Sequence, residues 1–99
     1  MDYDFEWDPA KAASNVHKHG VSFAQAATVF LDDLALTVPD DAHSQFEQRW
    51  FTLGHVTGKG LIAVAHTYQM SESLRPRIRI ISARPATPME QRHYAESPQ

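Results

Sequence analysis

Charged side chains of complementary chemistry recur on three successive segments of this 99-residue chain. Glu47 and Arg49 are two residues apart, so on one strand they would share a face. His66 lies near the end of the next segment, and Arg77 and Arg79 lie on the segment after that. Together such groups can cleave RNA without a metal, because a base can take the 2′-hydroxyl proton, an acid can protonate the 5′-oxygen, and arginines can stabilise the phosphorane.

The same residues also allow an interpretation without catalysis. Glu47 with Arg49 or Arg79 would make a cross-strand ion pair, which contributes less than about 1 kcal/mol at a surface. His66 would then be an ordinary histidine at a strand edge. The residue types alone leave both interpretations open.

The sequence lacks the residue patterns of metal sites, cysteine chemistry, serine hydrolases and nucleotide-binding sites. Six histidines invite a metal hypothesis, but His17 and His19 point to different sides of a helix, and no H-E-x-x-H spacing occurs. The chain has no cysteine, which excludes a thiol nucleophile, a thiolate metal site and a disulfide framework. It also has no G-x-S-x-G, P-loop or G-x-G-x-x-G pattern. The sequence therefore predicts no metal and no cofactor.

Charge is unevenly distributed along the chain. The formal net charge is −3, which by itself argues against a nucleic-acid binder. Residues 75–99, however, contain five of the six arginines and carry a net charge of +3. Arginine suits phosphate recognition because its planar fork can donate two parallel hydrogen bonds. The alternative is a solvated strand face, which charge alone favours.

Local signals predict the elements that must position these groups. Asp8-Pro9 starts a helix that ends before Gly20, and Ser22 with Gln25 forms a capping box for a second helix that continues to Phe30. Thr87-Pro88-Met89-Glu90 opens a third helix that extends to about Ala95. Branched and aromatic runs predict strands over Tyr3–Trp7, Leu34–Val38, Phe46–Val56, Leu61–Tyr68 and Arg77–Arg84, with a loop over Gln69–Pro76.

The resulting order is β-α-α-β-β-β-β-α. Short connections favour an antiparallel sheet, so we predict an α+β fold with a single antiparallel sheet, two N-terminal helices and one C-terminal helix. The length fits one domain over residues 1–99, with Trp7, Phe23 and Phe30 in its core. No apolar run approaches the ~20 residues of a membrane helix, which favours a cytoplasmic protein.

Several segments, in order along the chain, closely resemble the BrnT family. They are Phe5-Glu6-Trp7-Asp8-Pro9-x-Lys11, Asn15-x-x-Lys18-His19-Gly20-Val21-Ser22-Phe23, Ala27-x-Val29-Phe30, His43-Ser44 with Glu47 and Arg49, Gly54, His66-Thr67, Ile78 to Arg84 followed by Ala86, and the tail with Glu90, Arg92 and Tyr94. The resemblance implies a RelE-like fold and a ribonuclease toxin of a type II toxin–antitoxin pair. It also implies a BrnA-like antitoxin partner, through which operator DNA is bound indirectly.

This resemblance ranks the candidate site residues. Arg79 and Arg84 of the I-R-I-I-S-A-R segment are the foremost candidates for phosphate contact and catalysis, followed by Glu47, Arg49 and His66. A second group, predicted to bind RNA, comprises Lys18, His19, Arg77 and Tyr94. For Lys18 and His19 a structural role at the end of a helix is an equally good explanation, because cations there interact favourably with the negative end of the helix dipole.

Departures from the family pattern keep alternatives open. Pro85 stands where a lysine is common in the family, which removes a charge beside Arg84. With the net negative charge, this supports an alternative in which a weak or inactive toxin acts as an antitoxin-binding module in operon autoregulation. A DNA-binding regulator acting alone is a third hypothesis, weakened by the absence of a helix-turn-helix pattern.

Overall fold

A five-stranded sheet in the order β1-β5-β4-β3-β2 is the framework of the protein, in a computed structural model that describes residues 3–70 and 74–97. The strands are β1 (Asp4–Glu6), β2 (Leu36–Pro39), β3 (Arg49–Val56), β4 (Gly60–Met70) and β5 (Pro76–Pro85), and the helices are α1 (Pro9–His19), α2 (Phe23–Ala27) and α3 (Pro88–Glu96). Two 3₁₀ turns cover Thr28–Leu31 and Asp41–His43. The predicted α+β class is confirmed. No helix within this part of the chain is long and apolar enough to cross a membrane.

The sheet is mixed, so the prediction of a purely antiparallel sheet is wrong. The pairs β2–β3, β3–β4 and β4–β5 are antiparallel, but β1 pairs with β5 in parallel, with Phe5 opposite Ile78. Short connections determine the direction only of strands that follow one another along the chain. The partner of β1 lies about 70 residues away in sequence, where that argument has no force.

Several other boundaries differ from the predictions. The second N-terminal helix is only five residues long and continues as a 3₁₀ turn, rather than as one helix to Phe30. Gln69 and Met70 belong to β4 and Pro76 to β5, so the predicted loop is shorter; its residues 71–73 lie outside the described part of the chain.

The capping signals of the sequence are all present. Asp8 accepts from the Ala10 N–H, and the capping boxes of Ser22 with Gln25 and Thr87 with Glu90 are complete. Gly20 ends α1 in the left-handed conformation, with φ of 69°. These short-range contacts set where the helices begin and end.

The core lies between the sheet and the α1–α2 segment. Its buried members are Val21, Phe23, Ala26, Ala27, Val29, Val56, Ile62, Val64, Ile78, Ile80 and Ala83, with Trp7 and Phe30 packed against them. This confirms the predicted core positions of Trp7, Phe23 and Phe30. Gly54 is required here, since a Cβ at that position would lie 2.7 Å from the Val29 Cβ.

A β-bulge decides which face each residue of β5 presents. Ala65 pairs with Ser82 but His66 pairs with Ile80, so Ile81 is the extra residue. Ile78 and Ile80 face the core before the bulge, and Ala83 faces it again afterwards. Arg79 and Arg84 therefore both lie on the opposite face, which we call the outer face.

Candidate active site

A cleft of about 440 Å³ opens on the outer face of the sheet. Its lining residues come from α1, from the segment between β2 and β3, and from the three central strands; they are Lys11, Ala42, His43, Gln45, Phe46, Glu47, Arg49, Thr67, Arg79 and Ile81. Three of the five predicted catalytic residues, Glu47, Arg49 and Arg79, are thus brought together. The cleft combines cations, a carboxylate and an imidazole.

Adjacent strands place two arginines on either side of a threonine. Arg49 of β3 is opposite Thr67 of β4, and Thr67 is opposite Arg79 of β5. Neighbouring strands lie about 4.8 Å apart, so the three residues form a row across the sheet. The Thr67 side chain is 2% exposed, and its hydroxyl has no hydrogen-bond partner among the described residues. The hydroxyl is therefore a buried group, and the two arginines that flank Thr67 in the row are the residues suited to a bound anion.

Arg79 has a loose internal partner. Its guanidinium lies 3.7 Å from the Glu6 carboxylate of β1, and both side chains are partly exposed. Such a surface pair contributes little to stability and leaves most of the five guanidinium donors available.

The segment that carries His43, Phe46 and Glu47, residues 40–48, is closed at its base by hydrogen bonds. The Asp40 N–H donates to the Arg49 carbonyl at 2.8 Å, and the Arg49 N–H donates to the Ser44 hydroxyl oxygen at 3.0 Å. The Ser44 hydroxyl in turn donates to the Asp40 carbonyl at 2.6 Å. These contacts hold the segment against the end of β3, beside the arginine row.

Within this segment, Asp40 and His43 form a hydrogen-bonded pair. The His43 Nδ1 lies 3.0 Å from Oδ2 and 3.2 Å from Oδ1 of Asp40. Asp40 is buried, whereas the His43 side chain is 64% exposed. A carboxylate that accepts from Nδ1–H assigns the proton to that nitrogen and leaves the lone pair of Nε2 free to accept another.

Glu47 reaches the cleft by a different route from the one predicted. It was expected to share a strand with Arg49, but β3 begins at Arg49, and Glu47 lies in the preceding segment. That expectation is wrong because the polar run from Asp40 to Gln48 forms local turns, in which Ser44 bonds the backbone instead of a neighbouring strand.

Lys11 enters from α1, which lies along the edge of β5 beyond the short β1. The Asn15 side-chain amide donates to the Ala83 carbonyl at 2.8 Å and accepts from the Ala83 N–H at 3.0 Å, as a neighbouring strand would. The same amide donates to the Val21 carbonyl at 2.9 Å. This buried side chain fixes α1 against the sheet and so positions Lys11 at the cleft.

His66 lies on the other face of the sheet, in the core. It is 0% exposed, its Nε2 is 2.7 Å from the Thr52 hydroxyl, and its ring contacts Phe30 and Tyr68 edge-on. Burial lowers the pKa of His66 to about 4, so the ring is neutral at pH 7. The structure does not bring His66 together with the cleft residues.

Arg84 shares the outer face with Arg79 but does not line the cleft. Its guanidinium makes two hydrogen bonds to the Glu90 carboxylate, at 2.7 and 3.0 Å, and lies 5.3 Å from the centre of the Phe51 ring. The hydrogen bond to Glu90 raises the pKa of Arg84, and the same bond lowers the pKa of Glu90 to about 2. Arg84 thereby links β5 to α3.

The four predicted RNA-binding residues also lie outside the cleft lining. Lys18 and His19 occupy the exposed last turn of α1, where a positive charge interacts favourably with the negative end of the helix dipole. Arg77 is exposed on β5, two residues before Arg79 and on the same face. The Tyr94 hydroxyl donates to Asp32 at 2.6 Å, which raises the pKa of Tyr94 to about 12.

Four residues of the site were not among the candidates drawn from the sequence: Lys11, Asp40, His43 and Thr67. The spacing of Asp40 and His43, three apart in a polar run, is a local signal that could have identified the pair. Lys11 and Thr67 carry no such signal, because their position depends on how α1 and β4 pack. Across residues 3–70 and 74–97, no group of three or more histidine or acidic residues has an arrangement that could hold a metal ion.

Comparison with known proteins identifies one family. Residues 7–90 match the family described as the ribonuclease toxin, BrnT, of type II toxin–antitoxin systems. This range contains every residue of the cleft. No curated protein sequence matches the chain.

Proposed function

The chain belongs to the BrnT family of ribonuclease toxins of type II toxin–antitoxin systems, and from that premise we propose that it is an endoribonuclease that cleaves RNA in the outer-face cleft. The observation that carries this proposal is the convergence of the Asp40–His43 pair and Glu47 with Arg49 and Arg79 around one cleft. Acid–base groups and phosphate-binding cations are the two requirements of RNA cleavage by side chains alone.

The proposed reaction is attack by the substrate's own 2′-hydroxyl. A base takes the 2′-hydroxyl proton, the 2′-oxygen forms a bond to phosphorus, and the bond from phosphorus to the 5′-oxygen breaks as an acid protonates that oxygen. We assign these two proton transfers to His43 and Glu47, with Asp40 positioning the imidazole. The products are a 2′,3′-cyclic phosphate and a free 5′-hydroxyl, and no metal enters the scheme.

The arginine row binds the phosphate in this proposal. Arg49 and Arg79 place positive charge beside the phosphorus, where negative charge builds up in the transition state. Lys11, which lines the same cleft, contacts a neighbouring phosphate. Arg84 and His66 are assigned to stability, on the grounds of their internal partners.

The partner follows from the type of system. A type II toxin is neutralised by a protein antitoxin, and we propose a BrnA-like antitoxin that covers the cleft and connects the complex to operator DNA. The proposal places the protein in the cytoplasm, where RNA cleavage inhibits translation. The RelE-like relationship suggested by the sequence is part of the same proposal.

The experiment that tests this function is cleavage of a labelled RNA by purified, antitoxin-free protein in excess EDTA. Wild type should cleave and leave 2′,3′-cyclic phosphate ends. His43→Ala should be slower by about 10²–10⁴-fold, as expected when a general acid–base group is removed. His17→Ala removes another exposed histidine, on α1, and should cleave like wild type.

Three results would contradict the proposal. Products with 3′-hydroxyl ends, or activity lost in EDTA and restored by a divalent metal, would exclude 2′-hydroxyl attack without a metal. Equal rates for His43→Ala and His17→Ala would remove His43 from the mechanism.

A catalytically inactive antitoxin-binding module is the second candidate. The observation that favours it is that two of the five predicted catalytic residues, His66 and Arg84, are engaged in internal contacts. A folded wild type that binds a BrnA-like antitoxin, does not cleave RNA and does not arrest growth would support this module over the ribonuclease.

A further inference from the structure

Phe46 stands at the cleft as a fully exposed aromatic side chain. Its relative exposure is 100%, whereas the exposed aliphatic side chain of Leu31 is 60% exposed. An exposed phenyl ring buries no apolar area in the free protein, so it contributes no hydrophobic stability to the fold. Its position suggests a ligand rather than the core.

The surroundings of the ring favour RNA over protein as that ligand. Phe46 is flanked in sequence by Gln45 and Glu47, which are exposed, polar and part of the same cleft lining. The cations Lys11, Arg49 and Arg79 line the same cleft, and they complement the negative charge of a phosphate backbone.

The segment of residues 40–48 places Phe46 in the lining of the cleft that also contains Arg49 and Arg79. Phe46 precedes Glu47 and follows His43 by three residues, within the segment whose base is closed by the Asp40, Ser44 and Arg49 hydrogen bonds. A strand whose phosphate lay on the arginine row would therefore carry the adjoining base near the phenyl ring.

We propose that Phe46 stacks on an unpaired nucleobase next to the cleaved phosphate, so that the site takes single-stranded RNA rather than duplex RNA. This inference rests on the proposed ribonuclease function and adds its substrate class. In a duplex both faces of each base are already stacked on neighbouring bases, whereas an unpaired base can turn outward onto an aromatic side chain. Binding by stacking tolerates any base, because each base has a π face.

The experiment measures binding without cleavage. A fluorescein-labelled RNA of 2′-O-methyl nucleotides lacks the attacking hydroxyl, and its affinity is measured by fluorescence anisotropy as a single strand and annealed to its complement. Phe46→Ala should weaken single-strand binding by about 5- to 100-fold, the range for loss of one stacked base. Phe46→Trp should bind like wild type, and Phe46→Leu should resemble Phe46→Ala because it keeps apolar area but has no ring.

Two comparisons make the test specific. Leu31→Ala removes an exposed apolar side chain that does not line this cleft, and it should leave single-strand affinity unchanged. Duplex affinity should be the same for wild type and all Phe46 variants. A Phe46→Ala protein that binds the single strand as tightly as wild type would overturn the inference and leave the ribonuclease proposal standing.

The remaining outcomes are also decisive. Phe46→Ala that keeps RNA affinity but no longer co-purifies with a co-expressed BrnA-like antitoxin would assign the ring to a protein partner, against the inference. A folded wild type that binds neither RNA would overturn the inference together with the proposed function, and this differs from the first result by the behaviour of wild type itself.

Discussion

The two ends of β5 present arginines of opposite character on the same face of the sheet. Arg79 lies at the cleft, with only a loose contact of 3.7 Å to Glu6. Arg84 donates two hydrogen bonds to Glu90 and lies against the Phe51 ring. The guanidinium of Arg84 is used to hold α3, and that of Arg79 is available to a ligand. A cluster of arginines in a sequence therefore predicts a binding surface only where tertiary partners leave the guanidinium donors free.

His43 and His66 show a similar contrast between a side chain at the cleft and one with internal contacts. His43 is exposed at the cleft and is positioned by Asp40, whereas His66 is enclosed between Phe30, Thr52 and Tyr68. An imidazole that transfers protons must reach both substrate and solvent; the exposed His43 meets this requirement, whereas the enclosed His66 does not.

Replacing each arginine by alanine tests most directly whether Arg79 serves RNA cleavage and Arg84 serves stability. Arg79→Ala should lower the single-turnover rate of RNA cleavage by about 10²–10³-fold, the usual loss on removing one preorganised donor to the transition state. Its melting temperature should stay near the wild-type value, because the Glu6 contact is loose. Arg84→Ala should keep most of the cleavage rate and melt at a lower temperature. The reverse pattern, with cleavage lost only in Arg84→Ala, would move the site to the other end of β5.

The pH dependence of stability separates the buried histidine from the exposed one. The pKa of His66 is about 4 in the folded protein and near 6.5 when unfolded, so the unfolded chain binds more protons between these values. The contribution of neutral His66 is fully present above pH 6.5 and is lost as the pH falls toward 4, which amounts to about 3 kcal/mol.

Urea unfolding at a series of pH values measures this effect. His66→Phe replaces the imidazole with a ring that does not titrate, and it should show a shallower loss of unfolding free energy between pH 6.5 and 4. Other titrating groups are common to both proteins and cancel in the difference. Parallel curves for the two proteins would show that His66 is not buried as a neutral ring.

The smallest expected effect is at the Arg84–Glu90 pair. Glu90→Gln keeps a capping-box side chain at its position but removes the charge, and it should lower the unfolding free energy at pH 7 by about 1 kcal/mol, since both groups are partly exposed. The pKa of Glu90 is lowered to about 2, so the stability due to its charge is present above about pH 4.5 and is lost as the pH falls through 2.

The difference between wild type and Glu90→Gln should therefore shrink as the pH approaches 2, as measured by thermal unfolding. A difference that does not change with pH would assign the effect to packing or capping rather than to charge.

Much of the fold follows from local signals in the sequence. The caps at Asp8, Ser22 and Thr87 were all predicted, because each depends on side chains within three residues of the backbone that they bond. Phe23 is buried, as its helical spacing predicted. The parallel pairing of β1 with β5 could not be predicted in this way, because it joins residues far apart in sequence.

The candidate site shows the same contrast between what local sequence signals predict and what depends on long-range packing. The spacing of residues along the chain predicted a carboxylate and arginines on neighbouring segments, with Glu47, Arg49 and Arg79 among the candidates. Which arginines are available to a ligand depends on the tertiary structure. The bulge at Ile81 determines which face of the sheet each residue of β5 occupies, and the packing of α3 brings Glu90 to Arg84. Tertiary structure also places His43 rather than His66 at the cleft. Alternation along β4 turns His66 into the core, whereas the hydrogen bonds at the base of the segment 40–48 hold His43 at the cleft.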